Sequence, residues 1–134
     1  MRLFRHALAH VALPIAMAVA APLTANGAAA DYEFQLVSQQ AKADQPAEIA
    51  VRLVHKPDGT PVTNAVIFTT RLDMGPESME EMTMPVEKVS GGEPGVYRFK
   101  TKLTMEGNWA LSLAAKVPGE AETVKGKLIV KAVP

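Results

Sequence analysis

The sequence predicts an all-β domain, a two-layer sandwich of about seven short strands, behind a cleavable N-terminal segment. Apolar and polar residues alternate along most of the chain after residue 30, and Pro and Gly residues of turn-forming type separate the alternating stretches. No stretch of that part repeats its apolar residues at helical spacing. These observations together favour strands and tight turns over helices.

The N-terminal 30 residues have the three parts of a secretory signal peptide. Arg2 and Arg5 give a positive start, a stretch rich in Ala, Val and Leu follows, and the three alanines at 28–30 form a cleavage site. Pro14 interrupts the apolar stretch, which argues against the alternative, a retained membrane anchor. We therefore expect residues 1–30 to be removed on export to the periplasm.

The remaining residues, 31–134, suit one small domain with no membrane span. The chain has 14 basic and 14 acidic residues, and loss of Arg2 and Arg5 leaves 12 against 14, a net charge of −2. This balance argues against nucleic acid as a partner, since nucleic acid needs a basic surface. The chain has no cysteine, so neither a disulfide nor a thiolate site is expected.

Seven strands follow from the alternation in chain order. The residues that mark them are Tyr32, Phe34 and Leu36; Ile49, Val51 and Leu53; Val66, Phe68, Thr70 and Leu72; Met84 and Val86; Tyr97, Phe99, Thr101 and Leu103; Trp109, Leu111, Leu113 and Ala115; and Val124, Leu128 and Val130. Turns are predicted at 56–61, 91–95 and 106–108, and a connection rich in Met and acids at 73–83. The spacing is typical of an immunoglobulin-like β-sandwich, with a small open barrel as the competing architecture.

Methionines are the candidate functional residues. Five occur after residue 30: Met74, Met79, Met82, Met84 and Met105. The first four lie within eleven positions. A thioether is a soft, neutral donor that favours copper(I), or its mimic silver(I), over hard ions such as magnesium. The stretch also holds four acids and no Lys or Arg between Arg71 and Lys88, so its negative field would attract cations.

The same alternation lets these methionines converge at one end of the sandwich. Met74 continues the inward face of Leu72, Met105 is expected to point inward at the end of the fifth strand, and Met82 and Met84 share a face of an extended chain. One alternative is that they plug the end of the core, for which Met74 and Met105 are the better candidates. Another is an adaptable, Met-rich contact surface for a protein partner.

Catalysis is not expected. His55 is the only histidine after residue 30, and its place at a strand end before a turn indicates a solvated or capping residue. One histidine without a cysteine or a compact triad pattern gives poor support for hydrolytic chemistry. Trp109 alternates in phase with Leu111 and Leu113, which indicates a core residue.

Four runs of residues carry a resemblance to a known family: Arg71-Leu72-Asp73-Met74-Gly75-Pro76, Met79-Glu80-Glu81-Met82, Pro94-Gly95-Val96-Tyr97-Arg98-Phe99 and Met105-Glu106-Gly107-Asn108-Trp109-Ala110-Leu111. With them the chain from about residue 47 to 132 resembles the YtkA-like/FixH family, and in particular small periplasmic members found beside heavy-metal efflux systems of the resistance–nodulation–division type. The resemblance implies an immunoglobulin-like sandwich and the handling of copper or other heavy metals. FixH proteins keep a membrane helix and act in cytochrome oxidase assembly, a pattern from which this chain departs because its apolar segment looks cleavable.

The sequence therefore predicts a periplasmic accessory protein that binds copper(I) through Met79, Met82 and Met84, with Met74 or Met105 completing the site. Its partners would be heavy-metal efflux or oxidase-assembly proteins. The alternative is a metal-free interaction module that docks on such an envelope complex by an edge strand or by its methionine-rich segment.

Overall fold

The computed structural model of the protein describes residues 28–134, which form ten strands and two short 3-10 turns. The strands are β1 (Tyr32–Leu36), β2 (Gln40–Lys42), β3 (Pro46–His55), β4 (Thr60–Pro61), β5 (Val66–Met74), β6 (Met79–Met84), β7 (Glu87–Val89), β8 (Val96–Lys102), β9 (Gly107–Lys116) and β10 (Val124–Val133), and the 3-10 turns are Ala28–Asp31 and Gly75–Glu77. No helix within residues 28–134 is long and apolar enough to cross a membrane. The signal sequence expected at residues 1–30 lies, apart from its last three residues, outside the described part.

The strands form two sheets that share one core. The β3 sheet has the order β1-β3-β8-β7 with β4 paired to β3, and the β9 sheet has the order β2-β10-β9-β5-β6. Neighbouring strands pair antiparallel except β2 and β10, which are parallel. The predicted all-β, immunoglobulin-like sandwich is confirmed. It has three strands more than the seven expected, because β2 and β4 are too short to show an alternation and because β6 and β7 stand where one strand was expected.

The core consists of the inward positions that the alternation predicts on β3, β8, β9 and β10. Ile49, Val51 and Leu53 of β3 lie beside Phe99 of β8 in the same sheet, and these four residues are buried together with Leu103, just after β8. The β9 sheet contributes the buried residues Trp109, Leu111, Leu113, Ala115, Val124 and Val130. The indole Nε1 of Trp109 donates a hydrogen bond to the carbonyl oxygen of Met105 at 3.0 Å, so its one polar group is satisfied.

The first half of β5 has the opposite phase from the one predicted. Val66 and Phe68 are exposed, Phe68 by 53%, whereas Ile67 between them is buried. The register between β5 and β9 shifts between Ile67 and Thr69, because a β-bulge places one extra residue on β5. A bulge reverses the alternation, so the expectation for Val66 and Phe68 was wrong while the one for Leu72 is confirmed.

The segment predicted as a connection from residue 73 to 83 is a β-hairpin. β5 runs on to Met74, a 3-10 turn follows at Gly75–Glu77, and β6 pairs back along β5 from Met79 to Met84. Met84 therefore ends a strand that it was expected to begin, and the next strand is β7. Pro76 suits the start of the turn because its φ is fixed, and the backbone reverses through Ser78 in the left-handed region at φ 59°.

Candidate metal site on the methionine hairpin

The end of β5, the 3-10 turn and β6 form one unit, residues 72–84, which we call the methionine hairpin. Met74 lies opposite Met79 at the turn, and Leu72 lies opposite Met84 at the far end. Between these pairs the register shifts, because β6 has more residues than the stretch of β5 it faces. Four of the five candidate methionines are thus brought onto two adjacent strands.

Met74 is part of the core. Its side chain is only 1% exposed and packs in the main apolar cluster. Gly107, at the start of β9, lies directly against it, since a Cβ on Gly107 would come within 3.2 Å of Met74 Cε. The expectation that Met74 faces inward is confirmed, and its contacts are those of a side chain that closes one end of the sandwich.

The three methionines of β6 lie at the boundary between core and solvent. Met79, Met82 and Met84 are half-buried and pack against the edge of the core, while Glu80 and Glu81 between them are exposed. β6 is the last strand of its sheet, so its other edge has no strand neighbour within residues 28–134. These thioethers are therefore positioned by packing on one side and reachable from solvent on the other.

Met105 is not inward-facing, contrary to the sequence prediction. Its side chain is 41% exposed on the turn between β8 and β9. β8 ends at Lys102 and Leu103 is the last inward residue, so the alternation stops before it reaches Met105. The main chain of Met105 is fixed by the hydrogen bond from Trp109, whereas its thioether is free to meet a ligand.

Glu77 holds the methionine hairpin against the turn that carries Met105. Its Oε1 accepts hydrogen bonds from the backbone N–H of Asn108 at 2.9 Å and from Asn108 Nδ2 at 3.0 Å. Asn108 follows Met105 by three residues at the start of β9. These bonds place the turn of the methionine hairpin and the β8–β9 turn at the same end of the sandwich.

Asp73 is occupied by bonds within the methionine hairpin. It accepts hydrogen bonds from Arg71 Nε at 2.9 Å and from the backbone N–H of Gly75 at 2.8 Å. Burial alone would raise the pKa of Asp73, but the hydrogen bonds from Gly75 and Arg71 hold it below the usual value of 3.8. Asp73 is therefore a structural carboxylate that fixes the turn.

Arg71 is a residue of this site that the sequence analysis missed. Besides Asp73, its guanidinium reaches Glu80 on β6, where Nη2 donates to the backbone carbonyl at 2.9 Å. It therefore ties the two strands of the methionine hairpin together from the outer face. Arg71 stands two residues before Asp73, and residues two apart lie on the same face of a strand. This spacing could have predicted the ion pair between them from the sequence.

The carboxylates near the thioethers do not form a metal-ligand cluster of their own. Within residues 28–134 there is no group of three or more His, Cys, Asp or Glu side chains that could hold a metal ion. His55 is hydrogen-bonded through Nδ1 to Asp58 Oδ1 at 2.9 Å, as expected for a residue that caps a strand end. That bond, together with those from Thr60, lowers the pKa of Asp58 to about 2.

Comparisons with known proteins give several distant structural similarities and one family match. Among solved structures the chain is similar to the Lin-41 filamin domain, at 15% identity over 75% of this chain and 91% of that one, with a TM-score of 0.47. It is also similar to the ZirS C-terminal domain, at 12% identity over 98% and 87% of the two chains and a TM-score of 0.43. A third similar structure is a conjugative transposon lipoprotein from Bacteroides eggerthii DSM 20697, at 10% identity over 75% of this chain and 96% of that one, with a TM-score of 0.36.

No curated protein sequence matches the chain. A sequence model of the YtkA-like family does match, over residues 26–114, which include β1 to β8, the whole methionine hairpin and most of β9. The resemblance on residues 71–111 is thereby confirmed at the level of the family. This chain belongs to the YtkA-like family.

Proposed function

We propose that this protein is a periplasmic accessory protein that binds copper(I) through the methionine hairpin and supports heavy-metal efflux or metal delivery. The observation that carries the proposal is the position of Met79, Met82 and Met84 on an edge strand, half-buried along the rim of the core. Thioethers in that position are held by packing yet open to an incoming ion. Soft sulfur donors select copper(I) and silver(I) over magnesium and calcium, which prefer oxygen.

The fourth position of the site is best suited to Met105. Its exposed thioether lies on the turn that Glu77 joins to the methionine hairpin. Met74 is less suited, because it would have to leave the core to reach an ion on the surface. A thioether site needs no deprotonation, so its affinity should change little with pH, unlike that of a thiolate or imidazole site.

A site on an edge strand also suits transfer of the bound ion to a partner protein. Glu80 and Glu81 are exposed beside the thioethers and raise the local concentration of cations. A partner can approach an ion on this edge without unfolding of the domain, because no strand within residues 28–134 covers it. An efflux or oxidase-assembly component of the periplasmic side is the class of partner that this role requires.

The test is the thermal stability of the purified protein with silver(I), used because it is not redox-active. At a free silver(I) concentration of about 100 Kd, binding to the folded state adds about 2.7 kcal/mol, which raises Tm by about 10 °C or more in a domain of this size. Replacing Met79, Met82 and Met84 together by Leu keeps the apolar bulk, so the variant should fold and lose this shift. Met74→Leu is the matched control and should retain it.

A second candidate is a metal-free interaction module, and the strand pairing favours it. β6 pairs with β5 only from Leu72 to Met74, so within the described residues Val66–Arg71 of β5 has no strand on that side. Such an edge can accept an extended segment of another protein. A wild-type protein that takes up no silver(I) at micromolar concentrations would leave this second function as the one to pursue.

A further inference from the structure

The outer face of the β9 sheet carries a concentration of positive charge, of which only Arg71 is hydrogen-bonded to the methionine hairpin. On β2, β10, β9 and β5, the outward positions hold six basic residues, which we call the lysine face: Lys42, Arg71, Lys116, Lys125, Lys127 and Lys131. The only acidic residue at the outward positions of these four strands is Asp73, and it is already bound to Arg71. Half of the 12 basic residues after residue 30 thus lie on one face of a domain whose net charge is −2.

The five lysines of this face form no ion pair with another described residue, although the charge of Lys127 helps to lower the pKa of Asp73. The ion pairs of residues 28–134 involve His55, Arg71, Arg98 and Lys102, and none of the five lysines. Lys125, Lys127 and Lys131 all lie at outward, exposed positions of β10, with Ile129 between the last two. Like charges placed side by side repel each other, so a partner with negative charge would relieve this repulsion.

Apolar side chains are also exposed on this face: Ile129, 45% exposed, lies among the lysines of β10, and two more lie on β5. Val66 and Phe68 of β5 are 58% and 53% exposed, on the side of β9 opposite the lysines of β10. The bulge that reverses the alternation of β5 is what turns Phe68 outward. Between the two rows lies an open trough of about 460 Å³ with Thr69, Ser112, Ala114 and Gly126 in its lining.

The width of this trough fits one helix. β5 and β10 flank β9 and are therefore two strand spacings apart, about 10 Å, which is about the diameter of an α-helix with its side chains. A helix lying along β9 would place one side against Phe68 and the other against Lys125 and Lys127. β9 and β10 are ten residues long, and a helix of about 20 residues spans the same 30 Å.

We propose that the lysine face docks an amphipathic helix of a partner protein, one whose apolar stripe is flanked on one side by Asp and Glu. The apolar stripe contacts Phe68 and the trough, and the acidic flank pairs with Lys125 and Lys127. An anionic lipid surface fits less well, because a flat membrane would not fill the concave trough over β9, between Phe68 and the lysines of β10. This docking surface is on a different face from the rim of β6 and does not depend on metal.

The test uses a synthetic helical peptide with end caps, leucines at i, i+3, i+4 and i+7 and glutamates along one flank. Its binding to the purified protein is followed by fluorescence anisotropy of a dye on the peptide and by amide chemical shifts of the labelled protein. We expect saturable binding that shifts amides of β5, β9 and β10. The double variant Lys125→Glu/Lys127→Glu should weaken it about tenfold or more, since it reverses both charges that face the peptide.

Matched variants separate this face from a general effect of charge. Lys56→Glu/Lys100→Glu makes the same change of charge at exposed positions elsewhere and should leave the affinity within about twofold. Phe68→Ser should weaken binding, whereas Val37→Ser, at a similarly exposed apolar residue, should not. A peptide with lysines in place of the glutamates should not bind.

Three results would overturn the proposal. One is equal loss of binding in both double variants, which would show that only net charge matters. Another is absence of saturable peptide binding at millimolar concentrations. The last is a wild-type protein that does not bind the peptide but binds vesicles of anionic phosphatidylglycerol, and loses that binding in Lys125→Glu/Lys127→Glu. This result would assign the face to a lipid surface. Each can be distinguished from failure of the metal proposal, because none involves β6 or silver(I).

Discussion

At the residue scale, Trp109 is the side chain on which the core depends most. It is the largest fully buried side chain of the described part, and its Nε1 bond to Met105 also fixes the β8–β9 turn. We expect Trp109→Ala to lower the free energy of unfolding by about 3–5 kcal/mol, measured by urea denaturation. Phe68→Ala, at an exposed aromatic, should change it by less than about 0.5 kcal/mol. Equal effects of the two changes would contradict the burial assigned here.

Asp73 makes the free energy of unfolding of the domain vary with pH in the acid range. Its pKa is lower in the folded than in the unfolded chain, because the hydrogen bonds of Gly75 and Arg71 outweigh burial. The stability it contributes is therefore fully present above its unfolded pKa and is lost as pH falls through the lower folded value. In Asp73→Asn, unfolding free energy should be lower at neutral pH and fall less between about pH 4 and 2 than in the wild type. Parallel pH curves for the two proteins would contradict this role.

Single residues also show where sequence reasoning ends. Alternation alone assigned the buried residues of β3, β8, β9 and β10, because an unbroken strand repeats with period two. It failed at Phe68 and Met105, where the pattern is interrupted by a bulge and by a turn. The bulge depends on how β5 pairs with β9, which is distant in sequence, so no local pattern could show it.

At the element scale, the methionine hairpin was the part of the fold that sequence predicted least well. Polar residues and methionines at 73–83 have weak strand preference, and the segment was assigned to a connection. It forms a strand because β5 offers its edge and because Asp73 and Arg71 fasten the turn and the two strands. The candidate residues were found, but their arrangement on an edge strand depends on these contacts.

Ser78 is the position at which the shape of the methionine hairpin can be tested. Its φ of 59° lies in the left-handed region, where a β-branched side chain is strained. Ser78→Val should lower the free energy of unfolding by about 1–2 kcal/mol, while Ser78→Gly should be close to the wild type because glycine adopts this conformation freely. Thermal unfolding of the two variants measures the difference. A Val variant as stable as the Gly variant would mean that the turn has another conformation.

At the scale of the whole molecule, the two sheets and their shared core followed from the number and spacing of the strands. The same strand count could not predict that the lysines lie on one face of the sandwich and the methionines at one edge. The lysine face requires knowing that β2, β10, β9 and β5 are neighbours, which comes from a crossover between distant parts of the chain. The strand order is set by tertiary packing, for which the sequence has no local signal.

Processing of the N-terminus concerns the whole chain. If residues 1–30 are a signal peptide, protein recovered from the periplasm should begin near Asp31, as read by intact mass spectrometry. The first strand begins one residue later, at Tyr32, so cleavage there leaves the sandwich complete. Protein that keeps Met1 and stays in the membrane fraction would contradict export as a soluble domain.

Binding of a soft ion by the thioethers of the methionine hairpin can be observed at each methionine separately. The protein is labelled with carbon-13 in its methionine methyl groups, assigned by single Met→Leu variants and titrated with silver(I). We expect the signals of Met79, Met82 and Met84 to shift together and to stop changing at one equivalent, while that of Met74 in the core moves little. Signals that do not move at one equivalent, or a shift confined to Met105, would contradict it.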